Sequence, residues 1–427
     1  MTPCGQGRFD RPWPFSGKAA SQHAMKIAFI HQNMPGQFAH LAAALACDPA
    51  NEVVFITRRR DRQIPSVRRV CYGVRRPADA PIHAHLRATE SALHHGQAVA
   101  HTLLALKRDG FVPDIVVGHS GWGETLFVKD ILPGCRYVNY CEFYFQAEGQ
   151  DFGFDPLYPA GPEARLALRM RCAPLLLALE ACDCGLSPTN WQRSTHPEPL
   201  RSKIQVIHDG IDTALFRPDT GARVMLPGGP MLTRSDPVVT YVARSLEPYR
   251  GFPSFMRAIP HILDEHPGAV VLIVGDDSKS YGAAPADGGN WREAMLREVP
   301  VDPSRVHFLG RLPYDRYRAV LQLSRVHVYL TYPFVLSWSV LEAMATGCVV
   351  VGSDTSPVRE VISHGENGLL ADFFDPRSIA DRVGQVLAEP AAFAQLRSAA
   401  RQSVIDSYDL PICLDRQIRL LGQLQDA

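Results

Sequence analysis

Short runs that are apolar at nearly every position alternate with longer amphipathic segments along this chain, and the rhythm restarts after residue 212. A strand with one wet face alternates apolar and polar residues, whereas a strand covered by helices on both faces does not. Runs of the second kind occur at Lys26–His31, Glu52–Thr57, Asp114–His119, Arg136–Glu142 and Lys203–His208. Gly36–Cys47, Ala88–Arg108 and Glu163–Ala181 between them carry a helical pattern. Strand and helix in alternation predict a doubly wound parallel α/β domain. The second set of strands is expected at Val238–Arg244, Ala269–Gly275, Val306–Gly310, Val326–Tyr332, Cys348–Ser353 and Gly368–Asp372, with helices such as Phe252–Glu265 and Ser337–Thr346. Two α/β domains of similar size follow, and such pairs bind ligands in the cleft at the carboxyl ends of their strands.

The expected boundaries are a polar leader or non-native extension at 1–24, a first domain at 25–215, a Pro- and Gly-rich linker at 216–236, a second domain at 237–400, and a C-terminal helix at 401–427 crossing back to the first domain. Met25 is the expected start of the structured chain. The 44 basic and 44 acidic residues cancel, which argues against a dedicated nucleic-acid binder. Ten scattered cysteines without a C-x-x-C pair predict reduced thiols and a cytoplasmic protein. No apolar run approaches a membrane span of about 20 residues.

Three strand ends carry the chemistry. His31–Phe38 follows the first strand and opens a helix at Pro35-Gly36, where free N–H groups suit an anion or hydroxyl; an ordinary βα turn is the alternative. Arg244 and Arg250 leave the strand at 238 six residues apart, and two permanently charged donors there suit a diphosphate; two solvated arginines are the alternative. In Thr331–Ser353, a loop with Ser337 and Ser339 enters a helix bearing Glu342. A lone carboxylate among apolar neighbours needs a partner, either ligand hydroxyls such as a ribose or an internal arginine.

The second half resembles the retaining, nucleotide-sugar-dependent glycosyltransferases of family 4. Arg244–Gly251 is similar to that family's R…KG element, with Arg250 for the usual Lys and one residue more between the pair. Val306–Tyr314 resembles its FLG strand, Leu341–Gly347 its LEAMA-x-G element, and Ser353–Leu370 its closing P-E-V-I…G-x-N-G-L-L run. In the first half, Leu186–Asn190 and Ile207–Asp212 look like its S-P-S and N-G-V-D elements. Of the family's E-x7-E pair the second is Glu342, but Phe334 stands at the first.

The resemblance implies a GT-B fold, two Rossmann-like domains facing across a cleft, and transfer of a sugar from a nucleotide diphosphate, UDP or GDP, to a hydroxyl with retention. It implies donor-binding roles for Gly36, Arg244, Arg250, Leu309, Ser337, Trp338, Ser339 and Glu342. Arg244 and Arg250 would stabilise the leaving diphosphate, and His119 or Glu142 would orient the acceptor. With no D-x-D triplet, neither metal nor other cofactor is expected. The implied acceptor is a glycan, polysaccharide or lipid-linked sugar. Residues 58–76 hold eight arginines and one acid, which could dock an anionic acceptor or the inner membrane face, or lie in a solvated loop. His83, His85, His94, His95 and His101 cluster without a carboxylate, a weak metal pattern. A non-catalytic sugar-nucleotide-binding subunit is the alternative that Phe334 leaves open. An epimerase would not explain LEAMA-x-G, and a Schiff base in the second domain has only Lys279 to draw on.

Overall fold

The pattern of doubly apolar runs becomes two parallel sheets in the computed structural model, which describes residues 24–74, 82–278 and 280–426. Residues 1–23 of the proposed leader, Arg75, Arg76 and Lys279 lie outside them. The described chain divides into two compact units: one runs to Gly210 and regains Pro411–Asp426, and the other holds Ile211–Leu410.

In the first unit, β1 (Lys26–Ile30), β2 (Glu52–Thr57), β3 (Arg68–Cys71), β4 (Ile115–His119), β5 (Arg136–Tyr140), β6 (Cys184–Ser187) and β7 (Ile204–Val206) form one sheet in the order 3-2-1-4-5-6-7. Every pairing is parallel. The strands alternate between two apolar layers: Ile27 and Phe29 face one, Ala28 and Ile30 the other. The first layer includes Leu414 and Leu421 of the terminal helix Leu410–Asp426. Gln417 Nε2 of that helix donates to the His208 carbonyl at 3.0 Å, and Arg416 to that of Val206 at 3.1 Å. Each buried leucine contributes about 1.5–3 kcal/mol.

In the second unit a short antiparallel ribbon comes first, β8 (Arg223–Met225) with β9 (Met231–Thr233). It occupies the stretch expected as a linker and buries Val224 and Leu232 in this unit's core. Then β10 (Val238–Ser245), β11 (Val270–Asp276), β12 (Val306–Gly310), β13 (Val326–Tyr329), β14 (Val349–Ser353) and β15 (Leu369–Ala371) form a sheet in the order 12-11-10-13-14-15. All its pairs are parallel. The helix Ala394–Tyr408 packs in this unit through Ala400 and Val404, so the return to the first unit starts at Pro411 rather than at 401. In both sheets the order reverses between two central strands, β1 and β4 or β10 and β13, and loops leaving such a pair part to leave a crevice.

Candidate functional site

At the reversal point of the first sheet, four polar side chains gather in one cluster. His31 follows β1, and its Nδ1 accepts from the Asn33 N–H at 2.9 Å, which leaves Nε2–H to donate to Gln37 Oε1 at 2.8 Å. Gln37 Nε2 donates to Glu142 Oε1 at 2.6 Å, just past β5. Glu142 Oε2 stands 3.3 Å from Nε2 of His119, the last residue of β4. His119 Nδ1 accepts from the Gly121 N–H at 3.0 Å, so the same tautomer follows there. The two imidazoles lie 4.9 Å apart, and Trp122 and Tyr140 flank His119 at 4.8 and 5.5 Å.

The charges follow from this packing. Burial, then the neighbouring His119, push His31 down to about 3, so it is neutral. Burial opposes ionisation of Glu142, but the His119 and His31 contacts and the Gln37 hydrogen bond outweigh it and hold the carboxyl below its usual range. Glu142 keeps 30% of its side chain exposed while His119 keeps 3%, so the carboxylate is the accessible member. Gly36 serves this cluster: its φ is +52°, and a Cβ there would lie 2.5 Å from the His31 ring. His119 and Glu142 were both nominated from sequence. His31 and Gln37 were quoted with the first turn but not singled out, and nothing local marked Trp122.

The second unit separates the two arginines. Arg244 is exposed near the end of β10, with no hydrogen-bond or ion-pair partner among the described residues. Arg250 is buried, and its Nη1 donates to Thr331 Oγ1 at 3.1 Å and the Val335 carbonyl at 2.9 Å. Its guanidinium lies 5.8 Å from the rings of both Tyr281 and Phe334. Arg250 thus anchors the loop after β13, and Arg244 is the member of the pair that faces solvent. The turn itself needs Gly251, whose φ is +68° and whose absent Cβ would lie 2.3 Å from Leu330.

Phe334 stands edge-on to Tyr249 and Tyr281 at 5.4 and 4.9 Å, and Tyr249 lies 4.8 Å from Tyr332. An aromatic cluster therefore occupies the position where the resemblance would put a glutamate. The Ser337 N–H, expected to be open to an anion, donates to Tyr329 Oη at 2.8 Å, and Ser337 Oγ accepts from the Ser339 N–H at 3.4 Å. These two hydrogen bonds cap the helix Trp338–Ala345. Its Glu342 is 4% exposed and accepts from Tyr314 Oη at 2.9 Å and Tyr317 Oη at 2.6 Å. Two tyrosines, rather than an arginine, satisfy it. Trp338 is half-buried against the core, and Leu309 is half-buried on β12.

Around the first site, Arg58 and Arg60 are exposed after β2, whereas Arg59 is held by Asp61 at 2.6 Å. His85 pairs with Glu163 at 3.2 Å, and His83 packs on His85. Among the described residues no helix is long and apolar enough to cross a membrane.

Residues 49–216 match the model of the glycosyl transferase family 4 group, and residues 236–389 that of the glycosyl transferases group 1. The chain is 30% identical over 201 residues to a D-inositol 3-phosphate glycosyltransferase of Acidothermus cellulolyticus, covering 45% of this chain and 42% of that protein. It is 27% identical over 216 residues to a glycogen synthase of Mycobacterium tuberculosis, covering 49% and 46%. The match thus spans less than half the length of these relatives. Among solved structures, sucrose-phosphate synthase from Thermosynechococcus elongatus superposes with a TM-score of 0.68 at 17% identity, over 94% of this chain and 99% of that one. Anabaena HepE in complex with UDP-glucose does so with 0.65 at 16%, over 93% and 100%. At such identities these likenesses concern the GT-B fold.

Proposed function

The chain belongs to the family 4 type of GT-B glycosyltransferases, and from that premise we propose that it moves a sugar from a nucleotide diphosphate sugar to an acceptor hydroxyl with retention at the anomeric carbon. The observation that carries this reading is the unpaired guanidinium of Arg244 at the carboxyl edge of the second sheet, in the motif where the family binds its donor diphosphate. There the cation offsets charge growing on the leaving oxygen as the C1–O bond to phosphate breaks. The new bond joins C1 to the acceptor oxygen, and the hydroxyl proton leaves with the departing diphosphate. Glu142, ionised and accessible, orients that hydroxyl, and His119 fixes Glu142. Glu342, seated by Tyr314 and Tyr317, is the carboxylate that the family motif assigns to the ribose. UDP is the nucleotide favoured, because HepE is described bound to UDP-glucose. The relatives are named for inositol phosphate and glycogen chemistry, so a hydroxyl-rich acceptor in glycan or polysaccharide synthesis is the class proposed.

A donor panel tests this. Purified protein with UDP-, GDP-, ADP- and dTDP-sugars should release one nucleoside diphosphate slowly, and Arg244→Ala should lower that rate by about 10²–10³-fold. Binding without release from any donor would favour the second reading, a non-catalytic sugar-nucleotide-binding subunit. The aromatic cluster at Phe334 is the observation on its side.

A further inference from the structure

Far from the candidate donor groups, at the amino edge of the second sheet, three arginines face one small cavity. Arg234 lies just before β10 and Arg325 just before β13; these strands are neighbours. Arg397 comes from the first turn of the helix Ala394–Tyr408. With Ser324, Pro390 and Ala391 they line a cavity of about 290 Å³.

Backbone carbonyls hold two of the arginines in place. Arg234 Nη1 donates to Gln322 at 3.1 Å, and Arg325 Nη2 donates to Ser235 at 2.8 Å and Arg234 at 3.3 Å. No carboxylate among the described residues forms an ion pair with any of the three. Arg325 Nε is buried without a hydrogen-bond partner. Arg397 also sits at the positive end of its helix, where a cation is disfavoured. Its guanidinium is held below its ordinary range by burial and then by Arg234 and Arg325. Three like charges around a half-buried space, two of them held by backbone carbonyls, cost stability unless an anion enters.

We propose that this cavity is a second anion site, distinct from the donor site, and that its ligand is a phosphate dianion, free or carried as a small phosphomonoester. Forked guanidinium donors match phosphate oxygens, and three of them offset more charge than one carboxylate carries. The volume is at the lower end of the about 300–1,000 Å³ of small-molecule sites, too small for a nucleotide sugar. The eight-residue β10 separates it from the Arg244 edge by roughly 25 Å. The site therefore suits an effector rather than a substrate.

Thermal unfolding of the full chain at fixed ionic strength tests this, with chloride, inorganic phosphate and glucose 6-phosphate as probes. Phosphate should raise Tm by about 2–4 °C over chloride. Arg397→Gln, which loses no hydrogen bond, should at least halve that rise, whereas Arg244→Ala should keep it. In chloride alone, Arg397→Gln should melt at or above wild type because it relieves like-charge repulsion. A larger shift with glucose 6-phosphate would identify the monoester as ligand, and an equal shift would identify free phosphate. Equal phosphate shifts in Arg397→Gln and wild type, loss in Arg244→Ala instead, or no shift beyond chloride would each overturn the proposal.

Discussion

Arg244 and Arg250 are alike in type and six residues apart, yet one faces water and the other is enclosed. Replacing them should therefore do opposite things. Arg250→Ala should cost about 2–4 kcal/mol of stability, because it leaves Thr331 Oγ1 and the Val335 carbonyl without their donor in a closed space. Arg244→Ala should stay within about 0.5 kcal/mol and lose nucleotide affinity instead. Urea unfolding of both variants beside a nucleotide titration separates the effects; equal stability losses would reject the assignment. The spacing of the pair was legible in the sequence, but which guanidinium is buried depends on Tyr281 and Phe334, which arrive from other loops. Glu342 shows the same limit. Its need for a partner was legible, while Tyr314 and Tyr317 belong to a helix known to face it only once β12 and β13 are placed.

Among elements, the turn from β1 into the helix Ala39–Ala46 has little tolerance. Gly36→Ala would add both a positive-φ penalty and a collision with His31, so a loss of about 2 kcal/mol or more is expected, with disturbed donation from Gln37 to Glu142. Thermal melts and the histidine imidazole NMR signals would show it; an unchanged His31 signal would argue against the contact. The strands at Glu52–Thr57 and Val306–Gly310 fall where the apolar runs put them. β3 and β6 were not foreseen: Arg68-Arg69-Val70-Cys71 is half polar because it is an edge strand, and Cys184–Ser187 is short and broken by Gly185. His31 and His119 meet because β1 pairs with β4 across some 90 intervening residues, an adjacency set by strand order and not by any local pattern.

Across the molecule, four buried histidines set the acid limit. Burial, assisted at His31 by His119, holds His31 and His327 at about 3, and burial holds His196 and His208 at about 4. Each takes up a proton on unfolding once pH falls below about 6.5, so each withdraws roughly 1.4 kcal/mol of stability per pH unit down to its folded value. Three of the four lie in the first unit, which should therefore unfold at higher pH than the second. Stability measured from pH 7 to 4 should fall steeply below 6.5, and His208→Gln should flatten the fall; a flat profile would contradict the neutral assignments. The terminal helix Leu410–Asp426 has a consequence for synthesis. The ribosome makes the whole second unit before it delivers Leu414 and Leu421, so the nascent first unit waits some 200 residues with an apolar layer uncovered. A chain stalled near residue 400 should be a chaperone client, even though every strand of both sheets has already been synthesised.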